Sequence, residues 1–105
     1  MGVMRLRAII VDGTTRFTAL IDHPMESGLR TDSRGTVIEA NYIKNIIVKR
    51  KGDVLLSSEL GPGVSKNPYL AFEFTAGAAG DELEVEWIDN KGTSAVRNVT
   101  ITQED

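Results

Sequence analysis

The sequence has no cysteine and a single histidine, His23. A chain without thiols forms no disulfide scaffold, and it has no thiolate to serve as nucleophile, redox group or metal ligand. The carboxylates closest to His23 along the chain, Asp22 and Glu26, do not give a recognised metal-ligand spacing. We therefore expect neither a metal site nor a cofactor.

Excess positive charge and long apolar runs are also missing. Lys and Arg together number 12 against 15 Asp and Glu, so the net charge of -3 offers no field to hold a polyanion, and we expect no nucleic-acid partner. The apolar run near the N-terminus covers only residues 8–11, which is too short for a secretion signal or a membrane span. We expect no membrane contact and a chain that is cytoplasmic, already trimmed, or exported with another protein.

Patterns typical of enzymes are missing as well. The serines lie outside any nucleophile-elbow pattern, and no glycine-rich stretch leads from a strand into a helix as a phosphate-binding loop requires. Glu82, Glu84 and Glu86 alternate along one predicted strand at a spacing of about 7 Å, which is more typical of a solvated face than of an acid pair. The sequence thus predicts no catalytic residues and no enzyme.

What the sequence does contain is apolar residues at alternating positions. They predict about seven short strands, at residues 4–11, 15–22, 42–50, 53–60, 69–75, 82–89 and 94–102. The pairs Asp12-Gly13 and Lys51-Gly52 favour tight turns between strands. Trp87 lies on the apolar side of its strand and is predicted to be in the core. Together these features predict an all-β, immunoglobulin-like antiparallel β-sandwich that forms a single domain over residues 1–105.

Two features indicate a binding function. Residues 23–41 are rich in turn formers and mixed charges and predict a long loop, which is uncommon in a compact domain unless it has a function. An ordinary crossover between the sheets is the alternative. Ile46, Ile47 and Val48, like Ile9, Ile10 and Val11, place apolar side chains on both faces of their strands, although a two-layer sandwich buries only one face. We expect a partner to cover the other face, and homodimers to be possible without that partner.

Three segments carry a family resemblance: HPMESGLR at 23–30, SKNPYLAFEF at 65–74 and EWIDNKG at 86–92. In this order they resemble the SoxZ family, whose members are subunits of the sulfur-carrier complex of thiosulfate oxidation. Lys66 and the pair Glu39-Ala40 depart from the family pattern at loop positions. The resemblance implies a noncatalytic subunit that pairs with SoxY, whose flexible arm carries sulfur intermediates, and that contacts other sulfur-oxidation enzymes transiently. It also implies a periplasmic location reached by co-export, with a cytoplasmic location expected if the resemblance fails.

The resemblance also implies roles for individual residues of the first two segments. The predicted partner-binding residues are those of the first segment together with the two-faced strand, namely His23, Pro24, Met25, Glu26, Gly28, Leu29, Arg30, Ile46, Ile47 and Val48. The second segment contributes residues with a structural or binding role, namely Asn67, Pro68, Tyr69 and Leu70. Pro24 and Gly28 are expected to set the backbone, Met25 and Leu29 to offer apolar contact, and Glu26 to pair with Arg30 or with partner charges.

Two other functions stay open at this point. One is a free-standing immunoglobulin-like recognition domain with no sulfur role. The other is an enzyme in which His23 acts with Glu26 or Asp22 on a small sulfur compound. The first loop segment is also compatible with a purely structural role in building the crossover.

Overall fold

The computed structural model describes residues 3–75 and 77–103, which form two stacked four-stranded sheets. The strands are β1 Met4–Val11, β2 Thr14–Ile21, β3 Ile43–Arg50, β4 Asp53–Glu59, β5 Tyr69–Phe74, β6 Glu82–Asp89, β7 Ser94–Thr100 and β8 Thr102–Gln103. Sheet one has the order β5-β2-β1-β8, and sheet two has the order β4-β3-β6-β7. The predicted all-β sandwich is confirmed. Among the described residues no helix is long and apolar enough to cross a membrane.

Both predicted tight turns are present. Asp12 and Gly13 have φ angles of 51° and 79°, and Lys51 and Gly52 have φ angles of 52° and 84°. Positive φ at both central residues is the geometry of the two-residue hairpin turn whose twist matches the flanking strands. The turns therefore fix the register of β1 against β2 and of β3 against β4.

The core lies between the two sheets and is built by alternate residues of each strand. Trp87 is 2% exposed, as predicted for a core residue. Burial of one large apolar side chain contributes roughly 1.5–3 kcal/mol, so this layer is the main source of stability. Its other buried apolar members are Met4, Ala8, Phe17, Ala19, Ile21, Met25, Ile43, Ile46, Val48, Leu83, Val85 and Ile101.

The last predicted strand differs from the prediction because it divides at Ile101. β7 pairs with β6 in sheet two, whereas β8 pairs in parallel with β1 in sheet one. Ile101 is 1% exposed and exchanges backbone hydrogen bonds with the β5–β6 connection, donating to Asp81 and accepting from Gly80, both at 2.8 Å. The strand therefore crosses from one sheet to the other at a residue that fills the core.

The predicted long loop connects β2 to β3 and is folded back on itself. Glu26 and Asn41 exchange two backbone hydrogen bonds of 2.7 and 2.9 Å, and Thr31 bridges Val37. At the tip, the carboxylate of Asp32 accepts hydrogen bonds from the amides of Arg34 and Thr36. The loop is thus an ordered protrusion with an exposed tip at residues 29–37.

Candidate functional site

The base of this protrusion is organised around His23, which is 1% exposed. Its Nδ1 accepts a hydrogen bond of 3.1 Å from the amide of Met25, so in the neutral imidazole the proton lies on Nε2. Nε2 faces the Asp89 carboxylate at 3.5 Å. The imidazole also stands edge-on against the Trp87 ring, with the ring centroids 5.2 Å apart. The histidine is therefore a packed interior group.

The second segment, residues 65–74, binds the backbone of His23 through Asn67. The Asn67 side chain accepts a hydrogen bond of 3.0 Å from the amide of His23, and the Asn67 amide donates to the carbonyl of His23 at 2.9 Å. Asn67 has a φ of 54°, a conformation that asparagine tolerates better than most residues. The Pro68 carbonyl accepts a hydrogen bond from Ile21, at the end of β2. This motif ties the start of the protrusion to the connection before β5.

The third segment, residues 86–92, contacts both ends of the protrusion: Asp89 faces His23 at its start, and Asn90 bonds residues at its end. Asp89 is 5% exposed, and its Oδ1 accepts hydrogen bonds from the amides of Lys91 and Thr93, which closes the turn after β6. Within that turn, the Asn90 side chain accepts from the amide of Tyr42 at 2.8 Å and donates to the carbonyl of Ala40 at 3.1 Å. All three sequence motifs therefore meet at the base of the protrusion, although they are far apart along the chain.

The predicted pair of Glu26 and Arg30 is present on the side of the protrusion. Arg30 donates three hydrogen bonds of 2.7 to 3.1 Å to the two carboxylate oxygens of Glu26. These hydrogen bonds lower the pKa of Glu26 and raise the pKa of Arg30 from their ordinary values. The carboxylate is engaged within the protrusion, whereas the Arg30 side chain is 66% exposed.

The structure separates the residues predicted in the first segment into buried and exposed members. His23 and Met25 are buried, and the Met25 sulfur accepts a hydrogen bond from the amide of Ile43. Gly28 has a φ of 86°, and a Cβ there would lie 3.2 Å from the Cβ of Ala40, so glycine suits this close approach. Leu29 is 88% exposed. The segment as a binding site stays a prediction, with Leu29 and Arg30 as its exposed side chains.

The other predicted residues are distributed over the sandwich. Ile46 and Val48 lie in the core, whereas Ile47 is half-buried on the outer face of sheet two, between Ser57 and Glu86 in the neighbouring strands. In the second motif Pro68 is buried, Leu70 packs against the core, and Tyr69 is 66% exposed on the outer face of sheet one. Asn67 thus lies with His23 at the base of the protrusion, whereas Ile47 and Tyr69 lie on opposite outer faces, so the predicted residues do not form one continuous surface.

A cavity of about 380 Å³ opens beside the His23 network and is lined by Asn41, Trp87, Asp89, Lys91, Thr93, Ser94 and Ala95. The Trp87 Nε1 donor and the Asn41 Oδ1 acceptor are buried without a hydrogen-bond partner among the described residues. Trp87 Nε1 can donate one hydrogen bond, and Asn41 Oδ1 can accept up to two. Within the described ranges no three His, Cys, Asp or Glu side chains are grouped to hold a metal ion.

The buried Asp89 was not among the predicted site residues, and of the outer face of sheet one only Tyr69 was. The sequence carried a signal for Asp89, because the alternation of Leu83, Val85 and Trp87 places Asp89 on the same inward face. A buried carboxylate requires a partner, and His23 is the one histidine in the chain. The outer face of sheet one had a similar signal in Arg5 and Arg7, which alternate with core residues of β1.

Comparison with solved structures agrees with this fold. Fibronectin(III)-like modules of Clostridium thermocellum CbhA superpose with a TM-score of 0.51 at 18% sequence identity, covering 98% of this chain and 100% of the module. At this identity the likeness shows the fold alone. A search of curated proteins finds no match.

The sequence itself matches the family model described as "Sulphur oxidation protein SoxZ" over residues 4–100. The match includes all three motifs that meet at His23 and the whole protrusion between β2 and β3. It assigns the chain a role in sulfur oxidation and an association with sulfur-oxidation partners. The chain belongs to the SoxZ family.

Proposed function

We propose that this chain is the noncatalytic subunit of a SoxYZ-type sulfur-carrier complex, in which it binds and presents a SoxY-type carrier subunit during the oxidation of thiosulfate or a related sulfur compound. The observation that carries the proposal is the family match over residues 4–100. In this function the reactive thiol belongs to the carrier, and this chain contributes a binding surface.

The protrusion between β2 and β3 supports a binding function. Its base is held by the buried His23, by Asn67 and by Asn90, which come from three different parts of the chain. A binding segment held on a rigid base loses little conformational entropy when it meets a partner. Leu29 and Arg30 are the side chains that such a segment would offer.

The periplasm is the location that we propose for the complex, reached by co-export with the carrier subunit. The proposal is tested by expressing the tagged chain with and without a carrier subunit that bears an export signal, followed by fractionation of the cells. Co-export predicts that the chain appears in the periplasmic fraction only when the exported carrier is present. A chain that stays in the cytoplasm in both cases contradicts this location.

The function is tested by co-expressing the tagged chain with a SoxY-type carrier and measuring the mass of the purified material by light scattering during size-exclusion chromatography. A one-to-one complex is expected. Two independent species at about 10 μM would contradict the function and would favour a free-standing recognition domain. Thiosulfate turnover is also measured on the isolated chain, and we expect none. Turnover by the isolated chain would instead favour an enzyme in which His23 is catalytic.

A further inference from the structure

We propose that the outer face of sheet one is the surface on which the carrier subunit docks, and that the docking surface of the carrier has carboxylates around an apolar centre. This inference rests on the proposed function and names the surface that performs it. We call this surface the arginine face. Its defining residues are Arg5, Arg7, Ile9, Arg16, Leu20 and Tyr69.

The register of sheet one brings these residues together in rows. Arg5 of β1 pairs with Leu20 of β2, which pairs in turn with Tyr69 of β5. Two rows further, Ile9 pairs with Arg16. Because alternate residues of a strand point to the same side of a sheet, all six side chains lie on the face turned away from the core.

The arginine face has exposed apolar side chains at positions that face away from the core. Leu20 is 38% exposed and Tyr69 is 66% exposed, and they are adjacent in the same row. Ile9 and Val11 of β1 form a second, half-buried apolar group on the same face, beyond the row of Arg7 and Thr18. Outward positions of a two-layer sandwich are ordinarily polar, so apolar side chains interspersed with arginines are typical of a surface that a partner covers.

The charges of the arginine face have few carboxylates to meet. Arg16 forms an ion pair with Glu73 at 2.9 Å. Arg5 and Arg7 are exposed, and neither has a carboxylate within ion-pair distance among the described residues. Arginine is enriched in protein interfaces because its planar head group binds carboxylates through two hydrogen bonds. The partner surface that fits is therefore acidic at its rim.

The opposite face of the sandwich has the opposite charge. Glu82, Glu84 and Glu86 of β6 and Glu59 of β4 lie on the outer face of sheet two, where Lys49 of β3 pairs with Glu84. An acidic partner is attracted by the arginine face and repelled by the glutamates behind it. The charge distribution thus selects one of the two outer faces.

The arginine face is continuous with the base of the protrusion. Arg5 and Leu20 line a cavity of about 380 Å³ together with Val3, Asp22 and Asn67. Asn67 is the residue that holds His23 through two hydrogen bonds. A partner seated on the arginine face therefore reaches the anchored start of the protrusion without crossing another part of the chain.

A second copy of this chain is a poorer occupant than a different protein. A two-fold dimer through the arginine face would bring two positively charged surfaces together, which is unfavourable. A contact between the arginine face of one copy and the glutamates of the next is head-to-tail, so it does not close within a dimer and leads to a ring or an open chain. We therefore assign the surface to the carrier subunit.

The test measures how strongly charge-reversal variants of this chain bind a purified SoxY-type carrier. The double variant Arg5→Glu/Arg7→Glu is expected to weaken binding by at least about tenfold, and Leu20→Ser to weaken it by a similar factor. Arg97→Glu, a matched reversal at an exposed position of β7, is expected to change affinity by less than about twofold. Increasing salt should weaken the wild-type complex more than that of the double variant.

The outcomes separate this inference from the function on which it rests. If the wild-type chain binds the carrier and folded Arg5→Glu/Arg7→Glu binds it equally well, the arginine face is wrong and the function stands. If the wild-type chain does not bind the carrier at all, the function itself fails. If the isolated chain forms oligomers that the double variant abolishes, the face belongs to a second copy and the inference is overturned.

Discussion

The imidazole of His23 and the carboxylate of Asp89 face each other at 3.5 Å in the interior, although 66 positions separate them in the sequence. His23 opens the protrusion and Asp89 ends β6, so this contact joins the protrusion to the centre of sheet two. Because buried polar groups are costly without partners, each residue stabilises the burial of the other.

Replacing His23 with alanine is expected to reduce the free energy of unfolding by roughly 2–4 kcal/mol. The substitution leaves a cavity against Trp87 and removes the acceptor for the Met25 amide. Urea denaturation followed by tryptophan fluorescence measures the change. Asp22→Ala, at the exposed neighbouring position, is the control and should cost less than about 0.5 kcal/mol. An equally small effect of His23→Ala would show that the network does not hold the protrusion.

Asn67 combines a positive φ with a side-chain hydrogen bond, and two substitutions separate these contributions. Asn67→Gly loses the hydrogen bond that the side chain accepts from the His23 amide but accommodates the φ, so we expect a cost of about 1 kcal/mol. Asn67→Ala loses the side-chain hydrogen bond and also disfavours the positive φ, so it is expected to cost about 1 kcal/mol more than Asn67→Gly. Thermal denaturation of the two variants checks this order. Alanine as stable as glycine would contradict a conformational role of Asn67.

Gly77 is packed too closely for a side chain. A Cβ there would lie 2.6 Å from Thr15 Oγ1 and 2.9 Å from Ile101 Cδ1, both in the core. Gly77→Ala is therefore expected to destabilise the protein by about 1–3 kcal/mol. Gly63→Ala is the matched control, because no atom lies within 4 Å of a Cβ at that position. Equal melting temperatures for the two variants would contradict the close packing.

Asp81 links the β5–β6 connection to β3. Its carboxylate accepts a hydrogen bond of 2.7 Å from Arg50, which lowers the pKa of Asp81 from its ordinary value of 3.8. A lowered pKa in the folded state means that the unfolded state binds the proton more tightly. The contribution is therefore fully present above about pH 4 and is lost as the pH falls through the lowered folded pKa.

We expect Asp81→Asn to be less stable than the wild type at pH 7, with the two proteins approaching each other in stability as the pH falls through the lowered pKa of Asp81. Urea denaturation at several pH values measures the difference between them. Asp53→Asn is the control, because exposed Asp53 has no ion-pair partner among the described residues. A stability difference between Asp81→Asn and the wild type that is independent of pH would contradict the ion pair with Arg50.

Much of the fold was predictable because strand alternation and turn chemistry are local. Leu83, Val85 and Trp87 alternate with glutamates, and Asp12-Gly13 and Lys51-Gly52 form the two tight turns. The division of the last strand was not predicted, because the crossing at Ile101 depends on hydrogen bonds with Gly80 and Asp81 that its own segment does not reveal.

The candidate site was predicted less completely, for the same physical reason. His23 was predicted among the partner-binding residues, but Trp87 and Asp89 from a distant strand pack against it in the interior. The pair of Glu26 and Arg30 was predictable from its spacing and is present. The arginine face needs the register of β1, β2 and β5, which only the pairing of the three strands supplies.

The proposed function of this member of the SoxZ family is to bind a carrier subunit. The most direct measurement is isothermal titration of the purified chain with a purified SoxY-type carrier. We predict saturable binding with one-to-one stoichiometry and a Kd below about 1 μM. Absence of a heat of binding, together with two separate species in sedimentation velocity at about 50 μM of each protein, would contradict the claim.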